Sequence, residues 1–373
     1  MRAIHDMLKD LTQGAGYLNG GYAAIMPDGQ VTAFVTGRVR PDGPLFTDPA
    51  TRLRMASIAK AATARAACAL SLQGKLPLEA DILDILQWTG APAALRKHAV
   101  TPRQLLAHVS GLTDHAGYLV DAGQSIMDFI SEQPAAVSHH LPGSYFAYAN
   151  INYILLGHVI EAAAQARFDR ILQETVLAPA GIAGGYNWAG VPVAVRANRL
   201  ALYQRHDSGL TIEADGDEAD WQADLIWRGG QGHAFADYVP GRDTSLLSPH
   251  AGLRMNIIEA ARLARFLADG SAAARLQAET TWQFDPVLRN GEDCDGLFVA
   301  FGLGLTIYHS HPRIPGNLIG HAGHALGFTG GIWHNRATGI SQAYFLTGGR
   351  DETAGLDTEA FYSAAELGIM QAL

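Results

Sequence analysis

The stretch that most limits what this chain can fold into runs from Ala59 to Leu72, rich in alanine and free of glycine and proline. Alanine is the strongest helix former, so this run predicts a helix. Around Lys60 stand Ala61, Ala62, Ala64, Ala66, Ala67 and Ala69, which point to a helix enclosed by protein rather than lying on its surface. An enclosed ammonium is costly, and the pKa of Lys60 should fall. Ser57 lies three residues earlier, on the same helical face, within reach of the amine. In the first turn its own N–H is not used by the helix, and the positive end of the macrodipole favours negative charge on a bound carbonyl oxygen. The lysines of the chain are Lys9, Lys60, Lys75 and Lys97; the remaining positive charge is arginine. A desolvated lysine can serve as a base, which arginine cannot.

The 373 residues, 48% of them hydrophobic, allow a large core, in one big domain or two interleaved ones. A net charge of −9 with no basic block argues against nucleic acid or an anionic membrane as partner and favours a small molecule or short peptide. Ile4, Met7, Leu8 and Leu11 recur at helical spacing, so Met1 to Gly16 reads as an amphipathic first helix rather than a signal peptide. The expectation is a cytoplasmic protein with no transmembrane segment. Cys68 and Cys294 suggest neither a disulfide framework nor a metal site, and no cofactor is implied.

Gly21–Met26 and Val31–Gly37 read as strands joined through Pro27-Asp28-Gly29. From Gly74 to about Pro179 the reading is mostly helical, with Thr101-Pro102 as a cap and first residue and Leu105-Leu106-Ala107-His108 continuing that helix. Asn256 and Glu259 predict a capped helix to Asp269. Phe301-Gly302-Leu303-Gly304-Leu305 reads as a strand, as do Gly331–His334 and Ser341–Leu346, with Glu359–Leu373 a closing helix. Strands at both ends with helices between predict an α/β (α+β) molecule: residues 1–75 and 250–373 form one sheet domain, and 76–249 a mainly helical insertion.

Tyr148 and Asn150 are two apart, and in an extended loop their side chains face the same side. A cation such as Lys60 nearby would lower the tyrosine pKa and favour the phenolate. Glu213, Asp215, Asp217, Glu218, Asp220 and Asp224 gather around Trp221 and Trp227, before Gly229-Gly230-Gln231-Gly232-His233. A solvated loop is the plain reading. The sharper one is a lid near 205–245 whose acids meet a substrate amine.

These segments resemble the family of class C β-lactamases and their relatives: penicillin-binding peptidases, D-aminopeptidases, D-amino-acid amidases and lactamase-fold esterases. Ser57-Ile58-Ala59-Lys60 resembles the family's nucleophile motif, Tyr148-Ala149-Asn150 its Tyr-x-Asn motif, and His321-Ala322-Gly323 its third motif in a His-x-Gly form. Leu105 to Leu112 and Tyr153 to Gly157 resemble two structural signatures. The resemblance implies a sheet flanked by helices and a serine-bound acyl intermediate. Ser57 would be the nucleophile, Lys60 and Tyr148 a proton-sharing base, and Asn150 the residue that orients Lys60 and the substrate. The backbone N–H groups of Ser57 and His324 would form the oxyanion hole. Lactamases usually carry lysine where His321 stands, and a mostly neutral imidazole there shifts weight toward amidase, peptidase or esterase activity. β-Lactam hydrolysis and acyl transfer stay open, as does a silent binding protein on this fold. A metal hydrolase, from His139-His140, His309/His311 and His321/His324, lacks the helical His-Glu-x-x-His spacing.

Overall fold

A computed structural model of the chain describes residues 2–14, 16–120, 124–214, 225–228, 231–294, 296–309, 311–350 and 362–373. The amphipathic start is helix α1 (Arg2–Gln13), with Ile4 and Leu8 buried. The hairpin follows as β1 (Asn19–Ile25) and β2 (Val31–Gly37). The Asp28 carboxylate accepts from the Gln30 N–H at 2.9 Å across the turn, a local bond that makes Asp a turn former.

The alanine run forms α2 (Ala59–Leu72), entered through a single 3-10 turn, Ala56–Ile58. All of Ala59 to Cys68 is buried, as is Leu70. A helix closed in on every side needs small side chains so that its neighbours can approach, which is what the alanines provide. The next helix, α3 (Pro102–Leu106), starts with a capping box between Thr101 and Gln104. It ends sooner than expected, because His108 adopts a left-handed backbone at φ 56°. Helix α4 (Asn150–Ala164) is buried from Ile151 through Glu161. Helix α5 (Ile257–Leu267) carries the expected box between Asn256 and Glu259. At the far end α6 (Ala364–Gln371) is capped by Ser363; the expected start at Glu359 lies outside the described residues.

The later strands are β3 (Trp282–Gln283), β4 (Ala300–Phe301), β5 (Thr306–His309), β6 (Asn317–Ala325), β7 (Phe328–Asn335) and β8 (Ser341–Thr347). With the first hairpin they make one 8-stranded sheet in the order β3-β4-β5-β6-β7-β8-β1-β2. Strand β8 pairs antiparallel with β1, from Asn19 opposite Thr347 to Ile25 opposite Ser341, so the two ends of the chain share one sheet. One face packs on α1 and α6 through Leu8, Tyr308, Trp333, Leu346 and Met370. The other face joins the main core with α2 and α5.

One expected strand is mostly a turn. Only Phe301 of Phe301–Leu305 is in a strand; the Gly302 N–H bonds the Leu305 carbonyl at 2.8 Å, and Gly304 sits at φ 70°. A Cβ on Gly304 would lie 2.5 Å from the Ala64 methyl and 2.6 Å from the Tyr153 hydroxyl. The alternation of glycine with large apolar residues has the period of a strand, but its glycines serve a hairpin pressed against α2. Of the acidic, Trp-bearing region, residues 215–224 and 229–230 lie outside the described residues.

Candidate active site

Three parts of the chain converge at the start of α2. Ser57 occupies the 3-10 turn and is half-buried, so its hydroxyl stands at a surface rather than in a sealed interior. The residue before it, Ala56, is held at φ 45°. A non-glycine residue in that region costs free energy and persists only where its surroundings impose it, most often at functional sites. Lys60, one turn on, is 0% exposed, and its Nζ is hydrogen-bonded to Ser57 Oγ at 2.8 Å. The same Nζ donates to Asn150 Oδ1 at 2.7 Å and to the His250 carbonyl at 3.4 Å. Burial pulls the amine down to about 7, against an opposing pull from the Asp114 carboxylate. The alanine neighbourhood foretells this fall, since an apolar enclosure penalises the charged form.

Tyr148 stands over the pair, with Lys60 Nζ 4.9 Å from its ring centre and the Ser57 side chain acting on its phenol. The ionisation expected of it is corrected here. Desolvation drives the phenol well above its ordinary value in spite of the nearby amine. The reason is that the phenol is buried too, and Lys60, pulled down to about 7 by its own burial, carries too little charge near and above neutral pH to offset that penalty on a phenolate. Tyr148 is therefore a neutral phenol.

Asn150 is the first residue of α4, where Ala149 supplies no side-chain cap. Asp114 does so from a distance: one carboxylate oxygen accepts from the Asn150 N–H at 2.8 Å and from Asn150 Nδ2 at 2.9 Å, the other from the Ile151 N–H at 3.0 Å. His108 completes the cradle, its Nδ1 accepting from the Ala149 N–H at 3.2 Å and its carbonyl from the Ala147 N–H at 2.9 Å. Its ring lies 4.5 Å from that of Tyr148. The segment from Leu105 to Asp114 thus holds the Tyr148–Asn150 loop by its backbone. Sequence reasoning flagged Leu105–Leu112 as structural and missed Asp114, because the helix start it caps lies 36 residues away and no local pattern joins the two.

Strand β6 forms the opposite wall. A Cβ on Gly323 would lie 2.8 Å from the Met55 carbonyl and 3.2 Å from the N–H nitrogens of Ser57 and Ile58, so only glycine lets the strand pass this close to the nucleophile turn. Residues on a strand alternate in direction, and two of the expected site histidines part company on that account. His321 points to the α2 side, 6.1 Å from the Tyr148 ring, with its Nδ1–H donated to the Ala322 carbonyl. Burial, with Lys60 nearby, lowers it to about 3, so it is neutral. The His324 side chain points to the other face, where Nε2 bonds both oxygens of the buried Glu366 at 2.9 and 2.8 Å. Only its backbone can take part in the cleft. The two cannot share a metal, and among the described residues no group of three or more His, Cys, Asp or Glu side chains is arranged to hold one. Among the same residues no helix is long and apolar enough to cross a membrane.

Protein flp of Staphylococcus aureus is 27% identical over 188 residues, which is 47% of this chain and 35% of that protein. The aligned stretch thus spans about a third of the curated relative's length. The fold is that of a D-amino acid amidase from Ochrobactrum anthropi, crystallised with L-phenylalanine, at a TM-score of 0.72 and 17% identity over 99% of this chain and 96% of that one. An octameric penicillin-binding protein homologue from Pyrococcus abyssi matches at a TM-score of 0.67 and 19% identity over 92% and 72%. The family model for beta-lactamase matches residues 8–365, nearly the whole chain. The chain belongs to the beta-lactamase family, a family of serine hydrolases.

Proposed function

We propose that this protein hydrolyses an amide, peptide or ester bond of a small substrate through an acyl group carried on Ser57. The observation that carries the reading is the 2.8 Å contact between Ser57 Oγ and the fully buried amine of Lys60. A neutral lysine has two N–H bonds and one lone pair. With the two N–H groups directed at Asn150 Oδ1 and the His250 carbonyl, the lone pair is left for the hydroxyl of Ser57. Ser57 Oγ attacks the carbonyl carbon as its proton passes to Lys60. The carbonyl oxygen, now negative, is held by the N–H groups of Ser57 and His324, a role supported by how near Gly323 runs to the Ser57 nitrogen. Tyr148, as a neutral phenol over Ser57 and Lys60, passes the proton from the Lys60 ammonium to the leaving amine or alkoxide. Water then repeats the sequence on the acyl group and frees Ser57.

His321 favours an amide or ester substrate over a β-lactam, because a neutral imidazole offers no positive charge to a carboxylate. The fold likeness to a D-amino acid amidase supports the same preference.

The test is a panel of p-nitrophenyl esters, D- and L-aminoacyl amides and nitrocefin, run with and without a chelator on wild type and Ser57→Ala. Intact-mass spectrometry then looks for acyl-Ser57. Turnover that survives chelation, is abolished in Ser57→Ala and is accompanied by an adduct on Ser57 is the expected result. Full turnover by Ser57→Ala would end the reading.

A further inference from the structure

The mechanism above leaves one half-buried carboxylate at its edge unused. Asp114 accepts three N–H bonds, two from the Asn150 and Ile151 backbones and one from the Asn150 side chain. The backbone bonds are those of an N-cap delivered from 36 residues upstream to a helix without one of its own. The side-chain bond does something a cap does not need. A carboxamide can turn end for end at little cost, and which end faces the amine decides where the amine's hydrogens go. With Nδ2 held at 2.9 Å by the carboxylate, the amide oxygen is forced toward Lys60, which donates to it at 2.7 Å. Reversed, the amide would present two N–H groups to the lysine and draw its lone pair away from Ser57.

We propose that Asp114 is a positioning residue for the Ser57–Lys60 pair: through the Asn150 amide it fixes the direction of the Lys60 lone pair, and its charge sets how readily that amine takes up a proton. The proposal rests on the reading of Ser57 as nucleophile and Lys60 as base. Besides the Asn150 amide, the groups facing Lys60 are Ser57, the Tyr148 ring at 4.9 Å, the Tyr153 ring at 5.9 Å on α4, the imidazoles of His108 and His321, the His250 carbonyl and Asp114. Of these Asp114 brings the negative charge, and it favours the ammonium; Asp114 also adds to the rise of the Glu292 carboxyl, which burial mainly causes. Burial opposes ionisation of Asp114, while its three N–H bonds and Lys60 favour it. Removing the charge should therefore make Lys60 easier to deprotonate while loosening its aim. These two effects move the pH profile and the plateau rate separately, which loss of a helix cap alone would not do.

The test uses the small number of lysines. With lysine labelled at Cε, the Lys60 resonance is followed by NMR from pH 5 to 11 in wild type and Asp114→Asn and assigned with Lys60→Met. In Asp114→Asn the midpoint should fall below that of the wild type by about half a pH unit or more. The acidic limb of kcat/KM should move the same way, and kcat on the alkaline plateau should drop about tenfold or more with KM little changed. Where Asp114→Asn does not fold, Asp114→Ser keeps a cap oxygen without the charge and should give the same shift. A midpoint that stays or rises, with an unchanged plateau kcat, would overturn the proposal. If the wild type acquires no adduct on Ser57, the reading of the nucleophile fails instead, and the titration still tells whether Asp114 governs Lys60.

Discussion

Lys60 is the residue on which the site turns. Its folded midpoint of about 7 makes the neutral amine abundant at physiological pH, so kcat/KM should rise with pH along a limb centred near 7. An activity profile flat from pH 5.5 to 8.5 would contradict a lysine base. The same depression has a cost in stability. Between about 7 in the folded state and about 10.4 in the unfolded chain, the unfolded state holds a proton that the folded state lacks, so raising the pH favours folding. Measured against Lys60→Met, in which this linkage is absent, wild-type stability should gain on the order of 2–4 kcal/mol as pH rises from 7 to 10.5. Denaturant melts of both proteins at several pH values measure it. Tyr148, being neutral, adds no phenolate limb of its own, which distinguishes a phenol relay from a phenolate base.

At the scale of elements, the site exists because a strand and a helical turn pass closer than side chains allow. Gly323 is where β6 meets the nucleophile turn, and an alanine there would have to displace the Met55 carbonyl at 2.8 Å and the N–H of Ser57 at 3.2 Å. Gly323→Ala should therefore lower kcat/KM by about tenfold or more, measured per folded molecule, and lower the melting temperature as well, because the atoms a Cβ would meet are backbone and cannot swing aside. A large fall in melting temperature with unchanged kcat/KM per folded molecule would show that the glycine serves packing and not the site. The Leu105–Asp114 segment acts likewise as a scaffold: its ring, carbonyl and carboxylate hold the N–H groups of Ala147, Ala149, Asn150 and Ile151.

For the molecule as a whole, the parts from distant stretches of sequence are tied by a few buried polar links. Glu259, at the first turn of α5, accepts from Arg52 at 2.6 Å and from the Ala183 N–H at 3.0 Å while also completing its own helix cap. It joins the approach to Ser57, the helix that covers the sheet and the loop before the short strand Gly185–Tyr186. Glu259→Ala leaves the Arg52 guanidinium buried without its carboxylate, and should destabilise the protein by about 3–5 kcal/mol in denaturant melts.

The sequence by itself determined the parts that depend on neighbours a few residues away. The alanine run had to be an enclosed helix, Ser57 and Lys60 had to share its face, and Thr101 and Asn256 had to cap, because each follows from helical geometry and local hydrogen bonding. The meeting of the first hairpin with the last strands in one sheet was legible too, from strand patterns at both ends. What needed the tertiary structure was everything set by through-space balance. Whether Tyr148 ionises depends on how far Lys60 itself is desolvated. Whether His324 enters the cleft depends on the pleat of a strand whose glycines hid its limits. The value of Asp114 depends on an amide 36 residues away. Desolvation and charge act over distances in space that sequence separation does not measure, and there the fold decides.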